Sequence, residues 1–191
     1  MNLKYNEILV RNASFLDVSN LLKWWNDGRI MEHAGFPLGL NTTDNRVIQN
    51  IKDHDMINNA LLIIEYNKIP IGEMNYKKLD HKSVEIGIKI CEEEYQNKGL
   101  GKIILSLLIS ELFSKGFEKI VLSTTAENKR AHHVYEKLGF INTEIKENSW
   151  TDQLGNIRSS VMYELIEENF NNQLTKLKEN WWTREKICQK Q

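Results

Sequence analysis

Two hydrophobic periods alternate along the chain, and they define its elements. Val84, Ile86, Ile88 and Ile90 alternate with Glu85, Gly87, Lys89 and Cys91. Successive side chains of a strand point to opposite faces, so this run predicts a strand with one apolar face. Leu61 to Tyr66 and Ile69 to Tyr76 read as an antiparallel pair, with Asn67-Lys68 short enough for a hairpin turn. Glu7 to Val10 is a short first strand and Ile120 to Leu122 a buried one. Two more strands, around Ile141–Ser149 and Ser159–Leu165, flank a turn at Gly155-Asn156. The pattern therefore predicts about seven strands.

The helical period fills the intervals. Ser14 with Asp17 resembles a capping box, and Leu21, Leu22 and Trp25 follow on one face. Gly28, Gly35, Pro37 and Gly39 break that segment into a loop region. Thr42 or Thr43 caps a second helix carrying Val47, Ile48 and Ile51. A third runs from Gly99-Leu100-Gly101 to about Lys115 and is apolar nearly all round, which predicts deep burial. Gly116 ends it. A fourth is capped by Asn128, sets Ala131, Val134, Tyr135 and Leu138 on one face, and ends at Gly139. The result is a mixed α/β domain over residues 1–166, with a helical extension over 167–191. In the extension Phe170, Leu174, Leu177 and Trp181 form an apolar stripe that must find cover. That cover is the chain's own domain or a second subunit, and a homodimer is the favoured expectation.

Composition narrows the function classes. Lys plus Arg number 25 and Asp plus Glu 26, a net charge of -1 that does not suit a nucleic acid backbone as main partner. The longest apolar stretch, Ile103 to Ile109, is far short of the ~20 residues of a membrane span. Met1 to Val10 lacks the apolar run of a secretory signal. Cys91 and Cys188 form no C-x-x-C pair and suggest no disulfide framework. Adjacent His132 and His133 on a helix point about 100° apart, a poor ligand pair. The expectation is a cytoplasmic protein without a metal, a membrane or a nucleic acid partner.

Candidate chemistry begins in the segment Gln96-Asn97-Lys98-Gly99-Leu100-Gly101-Lys102, between a strand and the buried helix. Backbone N–H groups at a helix start are unsatisfied and electropositive. Two glycines let an anion approach them, and Lys98 and Lys102 add charge, so the segment outlines a pyrophosphate cradle. The glycine spacing of a Walker A loop is absent, and a dinucleotide fingerprint wants Gly or Ala where Ile104 stands. On spacing alone a tight turn that permits close helix–strand packing remains an equal reading.

A second segment gives the first its meaning. Asn128, Ala131, Tyr135, Gly139 and Phe140 follow the spacing N-x-x-A-x-x-x-Y-x-x-x-G-F, while Gln96, Gly99 and Gly101 follow Q/R-x-x-G-x-G/A. Together they resemble the acetyl-CoA-binding motifs of the GNAT superfamily of N-acetyltransferases. The Tyr95-Gln96 lead-in and Trp24-Trp25-Asn26-Asp27 look most like its RimJ/RimL branch. The resemblance is strong over residues 83–140, weak before residue 60 and absent in the tail. It implies a mixed sheet whose fourth and fifth strands splay apart, with the pantetheine arm of acetyl-CoA pairing with backbone at Ile88 and Ile90. It implies that Gln96, Asn97, Lys98, Gly99, Leu100, Gly101 and Lys102 hold the pyrophosphate, and that Asn128 bonds the pantetheine arm. It implies that Tyr135 protonates the departing thiolate; the competing reading is a core tyrosine. The acceptor would be a primary amine, on a protein N-terminus, a polyamine or another small molecule.

An ammonium must lose a proton before it attacks, and a carboxylate is the usual agent. Glu85, eleven residues before Gln96, stands at the offset of the strand-four base of lysine-acetylating relatives. Its competing reading is a solvated strand residue beside Lys89. Glu73 is the second candidate, and Glu32 and Asp152 are weaker ones for gripping a cation. A non-catalytic acyl-CoA-binding module is the alternative function; the joint presence of Tyr135, Asn128 and Glu85 favours the enzyme.

Overall fold

The period-2 segments pair into one sheet in the computed structural model, which describes residues 1–175. Its strands are β1 (Asn2–Tyr5), β2 (Ile8–Asn12), β3 (Asn59–Tyr66), β4 (Ile69–Lys78), β5 (Ser83–Ile90), β6 (Lys119–Thr125), β7 (Ile141–Thr151) and β8 (Ile157–Ile166). They lie in the order β1-β2-β3-β4-β5-β6-β8-β7. Every pair is antiparallel except β5 with β6. The helices are α1 (Val18–Asn26), α2 (Gly28–Met31), α3 (Asp44–Lys52), α4 (Leu100–Ser114) and α5 (Lys129–Leu138). A parallel pair needs a crossover, and α4 supplies it between β5 and β6.

Among the described residues the sheet has eight strands where the pattern predicts about seven. The addition is β1, a four-residue edge strand that pairs only with β2. Four residues alternating polar and apolar are too few to mark a strand by themselves. The pairing comes from the turn at Asn6-Glu7, where Asn6 adopts φ 49°. The expected hairpin between β3 and β4 is present, with Asn67 at φ 50° and Lys68 at φ 67°. Positive φ at both central residues is the twist-matched turn of two-residue hairpins.

Each face of the sheet has its own core. Val10, Leu62, Ile64, Met74, Val84 and Ile86 pack under α4, whose Ile104, Leu105, Leu108, Ile109 and Leu112 are all buried. At about 1.5–3 kcal/mol per fully buried aliphatic side chain, α4 is the main anchor of this layer. On the other face Leu61, Ile63 and Cys91 meet Leu21, Trp24 and Trp25 of α1 and Val47 and Ile51 of α3. The start of the extension docks on α4 and α5. Phe170 lies 5.9 Å from the Phe113 ring, the Asn171 N–H donates to the Leu138 carbonyl, and the Gln173 N–H donates to Ser106 Oγ. Gly139 has to be glycine there: its φ is 95°, and a Cβ would fall 1.9 Å from the Asn169 carbonyl oxygen. Helix begins at Gln173, and Leu174 packs against the core; Leu177 and Trp181 lie outside the described residues.

The feature that shapes the site is the short reach of the parallel pairing. β5 and β6 pair only at Ser83↔Lys119, Val84↔Ile120 and Glu85↔Val121. Past those residues β5 continues along β4 as far as Ile90, and β6 continues along β8 as far as Thr125. The two strands therefore part, and the backbone groups of each that face the other lose their strand partner.

Candidate active site

A cavity of about 680 Å³ fills the opening between β5 and β6. It reaches both faces of the sheet. Ile86, Ile88, Ile90, Leu100, Leu105, Asn128 and Tyr135 line it on the α4–α5 side. Arg29, His33, Glu73, Asn75, Lys89 and Trp150 line it on the α2 side.

One end is built by the start of α4. Gly99 is its N-cap residue at φ 77°, and among the described residues no side chain caps the helix. The first amides of α4 are thus left without intrahelical partners, at the positive end of the helix dipole. A Cβ on Gly99 would meet nothing within 4 Å, and one on Gly101 would meet only Ile90 Cδ1 at 3.9 Å. Gln96, Asn97, Gly99, Leu100, Gly101 and Lys102 all line the cavity. Open space, uncapped amides and a lysine make a donor set that fits a pyrophosphate. Lys98 is not on the wall; its ammonium sits 5.7 Å from the Tyr95 ring centroid.

Two of the expected binding residues carry structural bonds as well. The Gln96 amide donates to the Ile90 carbonyl at 2.9 Å and accepts from Arg130 at 2.9 Å, tying β5, the glycine loop and α5 together. Asn128 Oδ1 accepts the Ala131 N–H at 3.2 Å as the cap of α5, and its Nδ2 donates to Thr124 Oγ1. Asn128 lies on the wall, with its side chain engaged in the cap.

Tyr135 stands on the wall from α5 and is 7% exposed. Its ring packs edge-on to Tyr163 and near Phe140, so it is at once a core residue and a cavity residue. Burial, with the neighbouring Tyr163, pushes its pKa up to about 12. Its hydroxyl therefore keeps its proton throughout the neutral range. Burial and the nearby Glu73 also push the Cys91 thiol far up, which disfavours the thiolate that a nucleophile needs.

The carboxylates take different positions relative to the cavity. Glu85 is still inside the β5–β6 ladder opposite Val121, before the strands part, and is absent from the cavity wall. Among the described residues Glu73 is the one carboxylate on the wall. It comes from β4 directly opposite Lys89 and is 3% exposed. Lys89 donates to one of its oxygens and the Trp25 indole N–H to the other at 2.8 Å. Glu32 is exposed and off the wall. Asp152 is buried by its own loop, taking bonds from the Leu154 and Asn156 amides and Arg158.

The alternation of β5 gives the face on which Glu85 sits but not the point where pairing stops. Trp150, Arg29 and His33 carry no motif. Trp150 reaches the cavity because β7 bulges between Lys146 and Trp150, and its ring fits against Gly35, where a Cβ would approach to 2.7 Å. Among the described residues no group of three or more His, Cys, Asp and Glu could hold a metal ion, and no helix is long and apolar enough to cross a membrane.

A mixed sheet whose strands part beside a crossover helix, with the uncapped start of that helix at the parting, is the frame of the site. The sequence pattern of the acetyltransferase (GNAT) family matches residues 19–140, and the chain belongs to that family. It is 32% identical over 77 residues to N-alpha-acetyltransferase 30 of Saccharomyces cerevisiae, covering 38% of this chain and 44% of that protein. It is 32% identical over 71 residues to the ribosomal protein bS18 alanine N-acetyltransferase of Salmonella typhimurium, covering 37% and 48%. The chain thus spans about half the length of these curated relatives. Among solved structures it is similar to the spermidine N-acetyltransferase of Vibrio cholerae in complex with CoA and spermine. That likeness has a TM-score of 0.77 at 19% identity, over 86% of this chain and 98% of that one. The RimL ribosomal protein acetyltransferase with bound coenzyme A aligns at a TM-score of 0.78 and 14% identity, over 87% and 98%.

Proposed function

We propose that this protein transfers the acetyl group of acetyl-CoA to a primary amine, with both substrates bound together and no acyl-enzyme. The observation that carries the reading is the parting of β5 and β6 after Glu85 and Val121. It joins the uncapped start of α4, the Tyr135 side chain and an acceptor mouth in one cavity. Family membership supports the reaction class, and relatives named for protein N-terminal and spermidine acetylation support an amine acceptor.

Acetyl-CoA supplies an acyl carbon activated by a thiolate leaving group. The amides of Leu100, Gly101 and Lys102, with the Lys102 charge, bind its pyrophosphate. Backbone at Ile88 and Ile90 on the freed edge of β5 aligns its amide-bearing arm. Gln96 fixes the loop against β5, and Asn128 fixes the start of α5. Tyr135 donates a proton to the leaving sulfur, a role that suits a hydroxyl held neutral by burial. The amine loses its own proton before or during attack. Glu85, off the cavity wall, is not assigned that proton in this reading. Glu73 has both oxygens engaged by Lys89 and Trp25, and the proton leaves through water at the open mouth.

The test is acetyl-CoA consumption against peptides, polyamines and aminoglycosides, with Tyr135→Phe as control. Turnover that collapses in the variant is the expected result. Binding of acetyl-CoA with no turnover of any amine would instead favour an acyl-CoA-binding module.

A further inference from the structure

The acceptor side of the cavity carries two cations, Arg29 and Lys89, each ion-paired and each the more exposed member of its pair. In the Lys89–Glu73 pair the lysine side chain is 29% exposed and the glutamate 4%. In the Arg29–Asp27 pair the arginine is 85% exposed and the aspartate 22%. Arg29 and Lys89 both line the cavity, whereas Asp27 does not. Glu93 also acts on Arg29 electrostatically, yet it too is off the wall. His33 lies beside Arg29 on the wall, and Asn75 and Trp150 complete the mouth with an amide and an aromatic face. Glu73 has both oxygens taken by Lys89 and Trp25.

A polyamine carries two or more ammonium groups and needs carboxylates to replace their lost hydration. This mouth offers it two cations instead, Arg29 exposed and Lys89 half-buried, and like charges brought together at a binding surface are strongly disfavoured. An amine that bears an anionic group a few bonds away meets the opposite situation. Asp27 takes the Nε and one Nη of Arg29, so the acceptor's carboxylate or phosphate can lie on the outer Nη edge of that guanidinium and on Lys89, while its amine turns toward the parting of the strands. We propose that the acceptor is a primary amine flanked by an anion, and that Arg29 and Lys89 select it. This rests on the acetyl-transfer reading of the same cavity and adds the acceptor's charge class.

The experiment compares four acceptors on the full chain: a peptide with a free α-amine and acidic residues at its second and third positions, the same peptide with lysines there, spermidine, and 2-aminoethylphosphonate. The acidic peptide should exceed the lysine peptide in kcat/KM by at least about tenfold, with spermidine lowest. Turnover of the phosphonate to the same extent would show that a small anion-bearing amine suffices; its failure beside a good acidic peptide would assign the anion to a peptide. Arg29→Gln should narrow the acidic-to-basic ratio several-fold and leave the KM for acetyl-CoA unchanged. Equal or better turnover of the lysine peptide or spermidine overturns the proposal, as does an unaltered ratio in Arg29→Gln. The cofactor reading is checked separately by thermal shift. If acetyl-CoA stabilises the protein but neither anion-bearing amine is acetylated, the acceptor class is wrong and cofactor binding stands. If acetyl-CoA gives no shift, the underlying reading fails and the acceptor class with it.

Discussion

Tyr135 is the residue in which packing and chemistry meet. Its ring is held by Tyr163 and Phe140, and the burial that follows raises its pKa to about 12. A general acid must be protonated to act, so its contribution is complete below that value and lost only above it. The acceptor amine works in the opposite sense: it must be neutral, and an α-amine ionises at about 7.7–8.0. We therefore expect kcat/KM for a peptide acceptor to rise through about pH 8 and to stay level up to pH 10. A descending limb below pH 10 would show that another, more acidic group is the proton donor. Tyr135→Phe should lower turnover by about 10²- to 10⁴-fold. The thermal shift with acetyl-CoA should survive, because the amides of α4 are untouched. Glu85 makes the contrasting case. It lies within the paired part of β5, off the cavity wall, so Glu85→Gln should give a pH–rate profile superimposable on the parent's. A clear loss that higher pH restores would return the base role to Glu85.

The elements show how much of the site was legible beforehand and where legibility ended. The start of α4 could be read because its signal is local: two glycines, flanking lysines and a following apolar helix stand within a few residues of one another. The cap of α5 at Asn128 and its end at Gly139 were readable for the same reason. The place where β5 leaves β6 was not, because it depends on pairing between segments some thirty-five residues apart, as in Glu85↔Val121. The Glu73–Lys89 pair is invisible for a related reason: only the β4–β5 register sets the two side chains opposite one another. Trp150 depends on a bulge, which alternation cannot report. The local signal can be tested on α4 itself. Gly101 lies at ordinary backbone φ with room for a Cβ, so Gly101→Asp should fold normally. Its carboxylate would stand where the pyrophosphate binds and repel it. The thermal shift with acetyl-CoA should vanish, while the melting temperature without ligand stays within a few degrees of the parent's. A retained shift would put the anion site elsewhere.

At the scale of the whole molecule, the segments before β2 and after β8 both brace the frame among the described residues. Asn2–Tyr5 closes one edge as β1, and the segment after β8 crosses back over α4 and α5. That crossing is held by polar and apolar contacts together. Asn172 donates to Ser110 Oγ and the Gln173 amide to Ser106 Oγ, which gives the fully buried Ser106 hydroxyl a donor to accept from. Phe170 covers Phe113 at the end of α4, and Gly139 lets the strap run close by the end of α5. The strap is remote from the cavity, since neither Phe170 nor Phe113 lines it. Stability and cofactor binding should therefore separate. Phe170→Ala removes a partly buried ring and leaves a gap over α4, at a cost of roughly 1–3 kcal/mol. For a chain of this size that corresponds to a fall in melting temperature of roughly 3–10 °C. The increment that saturating acetyl-CoA adds to the melting temperature should be unchanged, because it depends on ligand concentration and affinity for the folded state. Thermal scans of both proteins with and without acetyl-CoA check both halves. A variant that melts like the parent would show that the strap only rests on α4, and one that loses the acetyl-CoA increment would show that it helps to hold the helix start in its binding geometry.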